Sequence, residues 1–214
     1  MKTIDYSSIM GKNNPILNIA ETCVSTRALG PGLRSAIWVQ GCPINCKGCI
    51  APEWIPFNPA HFMTPEVAAN LLLKEPGIEG ITISGGEPMA QAYGLTRMAQ
   101  ILRKRKELHI ICFSGYRHEY LIKQPVETGI PEFLAMIDIL VDGPYIQNLN
   151  QGTTFAGSSN QRIISLSQRP IPGNSGWPLR KMELHIRNGM ILSVGVPPLG
   201  WNRRFADNIS RMDA

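Results

Sequence analysis

Short apolar runs alternate along most of the chain with longer stretches in which apolar residues recur every three or four positions. Six of the short runs predict β-strands, and they begin at Ile16, Ser35, Gly80, Leu108, Asp138 and Gln161. Between them, TPEVAANLLLKE and QAYGLTRMAQILRKRK have the periodicity of amphipathic helices. Thr64 is the predicted N-cap of the first of these helices, with Pro65 at its first helical position.

This alternation predicts an α/β fold, a partial (β/α) barrel of mostly parallel strands. In such folds, ligands bind at the C-terminal ends of the strands. Four glycine-containing turns follow predicted strands, and they read QGCPINC, SGGEP, SGY and VDGPY. We therefore expect the functional site to be built from these turns.

The character of the sequence changes after residue 168. SQRPIPGNSGWPLR has the composition of a linker, and MELHIRNGMILSVGVPP predicts a β-hairpin that turns at Asn188-Gly189. The predicted organisation is a core domain over residues 1–168 and a C-terminal extension over residues 169–214, formed by linker, hairpin and tail.

Composition indicates a folded protein of the cytoplasm. With 214 residues and 43% hydrophobic content, the chain can bury a full core. The first residues lack the apolar stretch of a signal peptide, and no run approaches the length of a membrane span. Five cysteines, three of them too closely spaced for a disulfide framework, indicate metal binding or redox chemistry in a reducing compartment.

The net charge of +5 does not add a nucleic-acid partner or a membrane to the prediction. The densest basic run, RKRKE at 103–107, falls where the second helix should end. Cations are favoured at a helix C-terminus by the macrodipole, so a solvated helix end accounts for the run.

The chemistry of the chain centres on three cysteines spaced C-x3-C-x2-C: Cys42, Cys46 and Cys49. Thiolates select zinc, copper(I) or iron–sulfur clusters. A structural zinc site wants four ligands, and the fourth would have to come from Cys23, Cys112 or His61. An electron-transfer cluster also uses four cysteines, whereas three would leave one iron open to substrate. Both the open cluster and the zinc site are compatible with the spacing.

The segment from Cys42 to Cys49 resembles the cluster-binding loop of radical S-adenosylmethionine enzymes. ITISGGEP at 81–88 resembles the Gly-Gly-Glu turn of the same superfamily, which contacts the methionine amino group. The residue types suit that contact, because Gly85 and Gly86 allow close backbone approach and Glu87 offers an acceptor to an ammonium group.

Further motifs resemble a narrower family. ALGPGLRSAIWVQGCPINCKGC resembles the activating enzymes of glycyl radical enzymes, and DILVDGPYIQNLN with TFAGSSNQRIISL resembles the activating proteins of anaerobic ribonucleoside-triphosphate reductase. The chain departs from the family pattern at Leu29, at Ile50-Ala51 and in its C-terminal tail.

The resemblance implies a 4Fe-4S cluster and S-adenosylmethionine as cofactors. It places the cluster on the three cysteines, as catalytic and metal-binding residues, and the methionine end of the cofactor on Gly85, Gly86 and Glu87. Ser114 would reach the ribose or carboxylate, the Gly48 and Ile50 backbone would flank the adenine, and Asp142 would add a polar contact.

The implied reaction is generation of a glycyl radical on a partner protein such as anaerobic ribonucleotide reductase. An external electron donor, such as a flavodoxin-like protein, would reduce the cluster. Two other hypotheses stay open: a radical S-adenosylmethionine enzyme acting on a different peptide or small molecule, and a zinc-binding interaction module.

Other residues are expected to be structural. Cys23 and Cys112 lie on apolar strands, where a cysteine usually behaves as a small buried hydrophobe. Arg34 could pair with a structural carboxylate, and Asn160 could order backbone.

Overall fold

The computed structural model describes residues 11–13, 15–152, 155–173, 180–187, 189–201 and 205. Seven strands of these residues form one sheet and two form a second. The strands are β1 (Leu17–Thr26), β2 (Arg34–Val39), β3 (His61–Met63), β4 (Gly80–Gly85), β5 (His109–Ser114), β6 (Ile139–Asp142), β7 (Arg162–Ser165), β8 (Met182–Arg187) and β9 (Met190–Gly195).

The large sheet has the order β3-β1-β2-β4-β5-β6-β7. Its four central strands, β2, β4, β5 and β6, are parallel, while β1, β3 and β7 pair antiparallel with their neighbours. The prediction of an α/β fold with a largely parallel central sheet is therefore confirmed. The antiparallel outer strands differ from a simple β/α repeat, since a short loop connects β1 to β2, and the described part of the longer segment between β6 and β7 holds a single 3₁₀ turn, Gln147–Leu149.

Four α-helices accompany the large sheet in the described part of the chain: α1 (Pro65–Leu72), α2 (Ala92–Arg105), α3 (His118–Leu121) and α4 (Ile130–Leu134). The predicted cap of α1 is confirmed, since the Thr64 side chain accepts a hydrogen bond from the Val67 N–H. The basic run does lie at the last turn of α2, where Arg103 forms an ion pair of 2.8 Å with the buried Asp138.

The two faces of the large sheet are covered differently. Helices α1, α2 and α4 pack on one face and bury the main core, which includes Ile37, Ile83, Leu95, Leu102 and Phe133. The opposite face carries two smaller clusters, one formed with Val194 of β9 and one formed with Phe155 and Ala156. Helices therefore leave that second face to loops and to the hairpin.

The predicted C-terminal hairpin is confirmed. β8 and β9 are antiparallel and register Arg187 opposite Met190, so that two positions form the turn. Gly189 has a φ of 75°, as a tight hairpin turn requires, and Asn188 lies outside the described residues. The division into domains at residue 168 stays a prediction. Among the described residues, no helix has the length and apolar character needed to cross a membrane.

Arg34, at the start of β2, is the largest side chain with no exposed surface. Its guanidinium donates to the carbonyl oxygens of Pro31 (3.1 Å), Ile81 (2.6 Å) and His109 (2.7 Å), and to the hydroxyl of Thr82 (2.8 Å). The expected carboxylate is replaced by these neutral acceptors. Arg34 thus joins the turn before β2 to the adjacent strands β4 and β5.

Candidate functional site

The C-terminal ends of the parallel strands bring the four glycine-containing turns together. Val39 of β2 registers with Gly85 of β4, and Ser114 of β5 registers with Asp142 of β6. Residues from all four turns line one cavity of about 490 Å³. This volume lies within the range typical of small-molecule and cofactor sites.

The cysteine loop is held against the segment that follows it. The N–H groups of Gly41 and Cys42 donate to the carbonyl oxygens of Trp54 and Ile55, each at 2.9 Å. Asn45 has a φ of 49°, which lets the chain reverse between the first two cysteines. These contacts place all three predicted ligands, Cys42, Cys46 and Cys49, in the wall of the cavity as half-buried free thiols.

The remaining two described cysteines have different surroundings. Cys23 on β1 and Cys112 on β5 are fully buried, and each packs in a hydrophobic cluster. Burial raises the pKa of the Cys112 thiol well above its ordinary value and also raises the pKa of Cys23. Both behave as small core residues, as expected from their strands.

The donor set of the loop, three free thiols, is compatible with an iron–sulfur cluster. Within the described ranges, no group of three or more His, Cys, Asp or Glu side chains converges closely enough to hold one ion. In a cluster, each cysteine binds a different iron, so its ligands need not meet at a point. Burial raises the pKa of the Cys42 and Cys49 thiols, so binding of a metal there would release their protons.

The two glycines of the Gly-Gly-Glu turn allow the turn to pack against the cysteine loop. A Cβ on Gly86 would lie 2.2 Å from the Gly41 carbonyl oxygen, and a Cβ on Gly85 would lie 2.3 Å from the Val39 nitrogen. Gly85 also has a φ of 111°, which disfavours other residues. The sequence predicted that these two glycines allow a close approach of backbone. In the described structure, the backbone that comes close to them belongs to the end of β2 and the start of the cysteine loop.

Glu87 is the buried carboxylate at the centre of these turns, with 1% of its surface exposed. It accepts hydrogen bonds from the N–H groups of Met89 (2.9 Å) and Gly115 (2.8 Å) and from the Ser114 hydroxyl (2.9 Å). A carboxylate has about four acceptor positions, so these three donors leave about one of them, and Glu87 lines the cavity. Burial outweighs these donors and raises the pKa of Glu87 to about 7.

The raised pKa of Glu87 predicts that the folded state loses stability as the pH rises. Its pKa rises from 4.5 to about 7 on folding, so between these values the folded chain binds a proton that the unfolded chain has lost. The free energy of unfolding should therefore fall by about 3 kcal/mol as pH rises through this window. Glu87→Gln cannot ionise and should not show this fall, as measured by urea unfolding of the cluster-free chain.

Comparison of the wild type with Glu87→Gln separates the effect of Glu87 on the pH dependence of stability from that of His109. Burial lowers the pKa of His109 to about 4, so its contribution to stability rises with pH and opposes the trend of Glu87. Both proteins retain His109, and its contribution cancels in the difference between them. A difference that stays constant from about pH 4 to about pH 8 would contradict the assignment of a raised pKa to Glu87.

Ser114 links the second and third turns. Its hydroxyl donates to Glu87 and accepts from the Tyr116 N–H at 3.1 Å, and its side chain lines the cavity. Ser114 therefore fixes the carboxylate as well as facing the cavity, a contact that the sequence did not predict.

The other three predicted cofactor contacts differ in position. Ile50 lines the cavity. Gly48, within the cysteine loop, packs against Gln147 instead, where an added Cβ would be 2.3 Å from Oε1 of Gln147. Asp142 is buried and accepts from the Arg162 guanidinium and from the His118 N–H at 2.7 Å, and these bonds lower its pKa although burial opposes them. The structure thus places Asp142 in a polar network behind the cavity.

Several cavity residues were missed by the sequence analysis. Trp38 and Trp54 pack with ring centroids 5.8 Å apart on one side of the cavity. Other walls come from Phe113 of β5, Tyr145 after β6, and Trp201 and Phe205 of the tail. The only feature of the sequence that could have indicated these positions is their aromatic character. That character does not distinguish a cavity wall from an ordinary core.

Comparison with known proteins adds a family and named relatives. A family model described as a 4Fe-4S single cluster domain matches residues 28–164. This range contains the cysteine loop, the Gly-Gly-Glu turn and the central parallel strands, and it ends before the hairpin.

The relatives are anaerobic ribonucleoside-triphosphate reductase-activating proteins. The Vibrio cholerae protein is 32% identical over 143 residues, which are 63% of this chain and 88% of the relative. The protein of Enterobacteria phage T4 is 32% identical over 143 residues, covering 64% of this chain and 86% of the relative. The Haemophilus influenzae protein is 30% identical over 142 residues, covering 63% of this chain and 88% of the relative.

Proposed function

The chain belongs to the family of 4Fe-4S single cluster domains, as a relative of the reductase-activating proteins, and on this premise we propose that it generates a glycyl radical on a partner enzyme. The predicted 4Fe-4S cluster is the cofactor of this family. The zinc-binding hypothesis is set aside, since it explains the cysteines and leaves the match over residues 28–164 unexplained.

The cysteine loop would hold the cluster through Cys42, Cys46 and Cys49. S-adenosylmethionine would bind beside it, and the two together would supply a 5′-deoxyadenosyl radical. One observation carries this proposal: the three thiols share a cavity with a buried carboxylate that keeps an acceptor position free.

Glu87 would accept the ammonium group of the methionine end, held in place by Ser114 and by the Gly115 N–H. Gly85 and Gly86 would keep that turn against the cysteine loop. Ile50 would contribute to the adenine site from the cavity wall, and Gly48 would shape the loop beside it. Asp142 would act through Gly143, which follows it and lines the cavity.

The walls of the cavity would exclude water from the reactive site. The tryptophan pair, Phe113 and the apolar residues of the extension surround the position of the cysteines. Exclusion of water protects a reactive intermediate from side reactions. We further propose that the large sheet curls as a partial barrel around this cavity.

The proposed partner is an anaerobic ribonucleotide reductase that bears the target glycine, because the relatives are named as activators of that enzyme. An external donor such as a flavodoxin-like protein would supply the electron. A cytoplasmic location would suit the five free cysteines, which a reducing compartment maintains.

One assay tests the reaction class. The chain is reconstituted anaerobically with iron and sulfide, reduced in the presence of S-adenosylmethionine, and assayed for 5′-deoxyadenosine. We expect 5′-deoxyadenosine from the wild type and none from Cys42→Ala. A loaded cluster that yields no 5′-deoxyadenosine, with or without the reductase, would contradict the proposed function.

A second candidate is a radical S-adenosylmethionine enzyme that modifies a different peptide or a small molecule. It is favoured by the extension, which lies outside the matched residues and contributes Met182, Leu192, Val196, Trp201 and Phe205 to the cavity. Electron paramagnetic resonance of the reductase after incubation separates the two, since only the first candidate leaves a glycyl radical on it.

A further inference from the structure

The hairpin of β8 and β9 packs on the large sheet through polar groups. Glu183 accepts hydrogen bonds from the Thr26 hydroxyl (2.6 Å) and the Arg27 N–H (2.9 Å), both from the end of β1. Arg187 donates to the Thr22 carbonyl oxygen at 3.0 Å. Because Glu183 and Arg187 are both on β8 and point to the same side, these bonds fix which face of the hairpin is turned toward the sheet.

The opposite face of the hairpin is apolar and exposed. Leu184 and Ile186 alternate with the polar residues of β8 and are 49% and 78% exposed, and Ile191, opposite Ile186 on β9, is 47% exposed. A surface hairpin ordinarily turns its apolar face to the core and its polar face to water. Here β8 has the reverse arrangement, which is typical of an interaction surface.

This apolar face continues into the cavity of the candidate site. Ile191 belongs to both, since it is exposed on the outer face and also lines the cavity. Met182, on the same side of β8 as Leu184 and Ile186, lines the cavity as well. The buried Val194 packs with Trp38 in the cluster below β9, so the strand that connects the surface to the cavity is fixed in place.

Arg180 anchors the other end of the hairpin. Its guanidinium donates to the carbonyl oxygens of Ala156 (2.7 Å), Gly157 (3.2 Å) and Pro197 (3.2 Å). Gly157 itself lines the cavity. The hairpin is thus tied to β1 through Glu183 and Arg187, and to the border of the site through Arg180.

We propose that the outer face of the hairpin, formed by Leu184, Ile186 and Ile191, docks the substrate protein beside the cavity. This inference rests on the proposed function, in which a glycine of a partner protein must enter the cavity. The partner would bring an apolar patch of its own against this face. Docking next to the opening would hold the target segment at the cavity, so that the reacting atoms meet more often.

A protein fits this face better than a lipid surface does. Peripheral binding to membranes combines apolar insertion with attraction of basic side chains to anionic lipids. The outward positions of β8 and β9, which are Leu184, Ile186, Ile191 and Ser193, contain no basic residue. The hairpin also lies beyond the matched range 28–164.

The test measures partner binding and cofactor cleavage separately on the reconstituted full chain. The probe is the anaerobic ribonucleoside-triphosphate reductase of the same organism, and its Kd for the chain is determined anaerobically. Ile186→Lys should weaken binding at least tenfold, because it buries a charge in an apolar contact. Formation of 5′-deoxyadenosine without the reductase should match the wild type, since Ile186 is exposed and lies outside the cavity lining.

Ile122→Lys is the matched control. Ile122 follows α3, is 58% exposed and does not belong to the cavity lining, so the same change there should leave the Kd within twofold of the wild type. Equal loss of binding in both variants would assign the effect to charge alone and overturn the proposal.

Two further results would also overturn it. Failure of the wild type to bind the reductase would show that the face does not serve this partner. Sedimentation that finds a dimer of the wild type and a monomer of Ile186→Lys would assign the face to a second copy of the chain. Absence of 5′-deoxyadenosine from the wild type and all variants would instead contradict the proposed function. The Kd values would still show whether the hairpin face binds the reductase.

Discussion

Cys46→Ala is expected to abolish both cluster loading and 5′-deoxyadenosine formation. Cys46 lies between the other two thiols in the loop and lines the cavity with them. The loop offers three thiolates, so the loss of one would leave only two irons bound to the protein. Two protein ligands are too few to retain the cluster. Iron and sulfide analysis after anaerobic reconstitution measures the first effect, and the cleavage assay measures the second.

Cys112→Ala provides the matched control. Cys112 is fully buried on β5 and packs in the main core, so its replacement removes one sulfur from that core and none from the cavity wall. We expect full cluster loading and a loss of stability of about 1 kcal/mol. An active Cys46→Ala protein, or a Cys112→Ala protein that folds without its cluster, would contradict the assignment of the ligands.

Arg34→Met is expected to lower the free energy of unfolding by about 3–5 kcal/mol. Methionine has a similar length and no donors, so the carbonyl oxygens of Pro31, Ile81 and His109 lose their partner inside the core. Each buried acceptor without a donor costs about 1–3 kcal/mol. Urea unfolding monitored by circular dichroism gives the value.

Arg34→Lys separates the charge from the geometry of the side chain. Lysine keeps the charge, but its ammonium cannot reach acceptors on two strands as the planar guanidinium does. We expect it to recover less than half of the lost stability. Full recovery with lysine would show that charge, and not the fork of hydrogen bonds, is what β2 needs at this position.

Sequence patterns predicted the elements that had a local cause, and they missed the short strand β3 and the short helices α3 and α4. The central strands are apolar runs bounded by glycine, the cap of α1 is encoded by Thr64-Pro65, and the hairpin is encoded by its two-residue turn. The positions of the four turns followed from the rule that parallel strands end at the same edge. These features depend on neighbours in the chain and so can be read from it.

The contacts that complete the site depend on residues distant in sequence, and the pattern does not contain them. Ser114 and Glu87 are 27 positions apart, and their hydrogen bond exists only because β4 and β5 are neighbours in the sheet. The aromatic walls combine side chains from β2, β5 and the tail, which are far apart in sequence. The antiparallel pairing of β1 with β2, and of β6 with β7, likewise joins residues that the sequence pattern does not connect.

The hairpin also has an evolutionary consequence. β8 and β9 pair with each other and share no strand ladder with the large sheet, to which they are joined by side-chain and side-chain-to-backbone contacts. The register of the large sheet, and with it the geometry of the cysteine loop and the Gly-Gly-Glu turn, therefore does not depend on the hairpin. Recombination or drift could exchange this module for another and redirect an ancestral chemistry to a new client, altering one wall of the cavity while the cysteine loop and the Gly-Gly-Glu turn are retained.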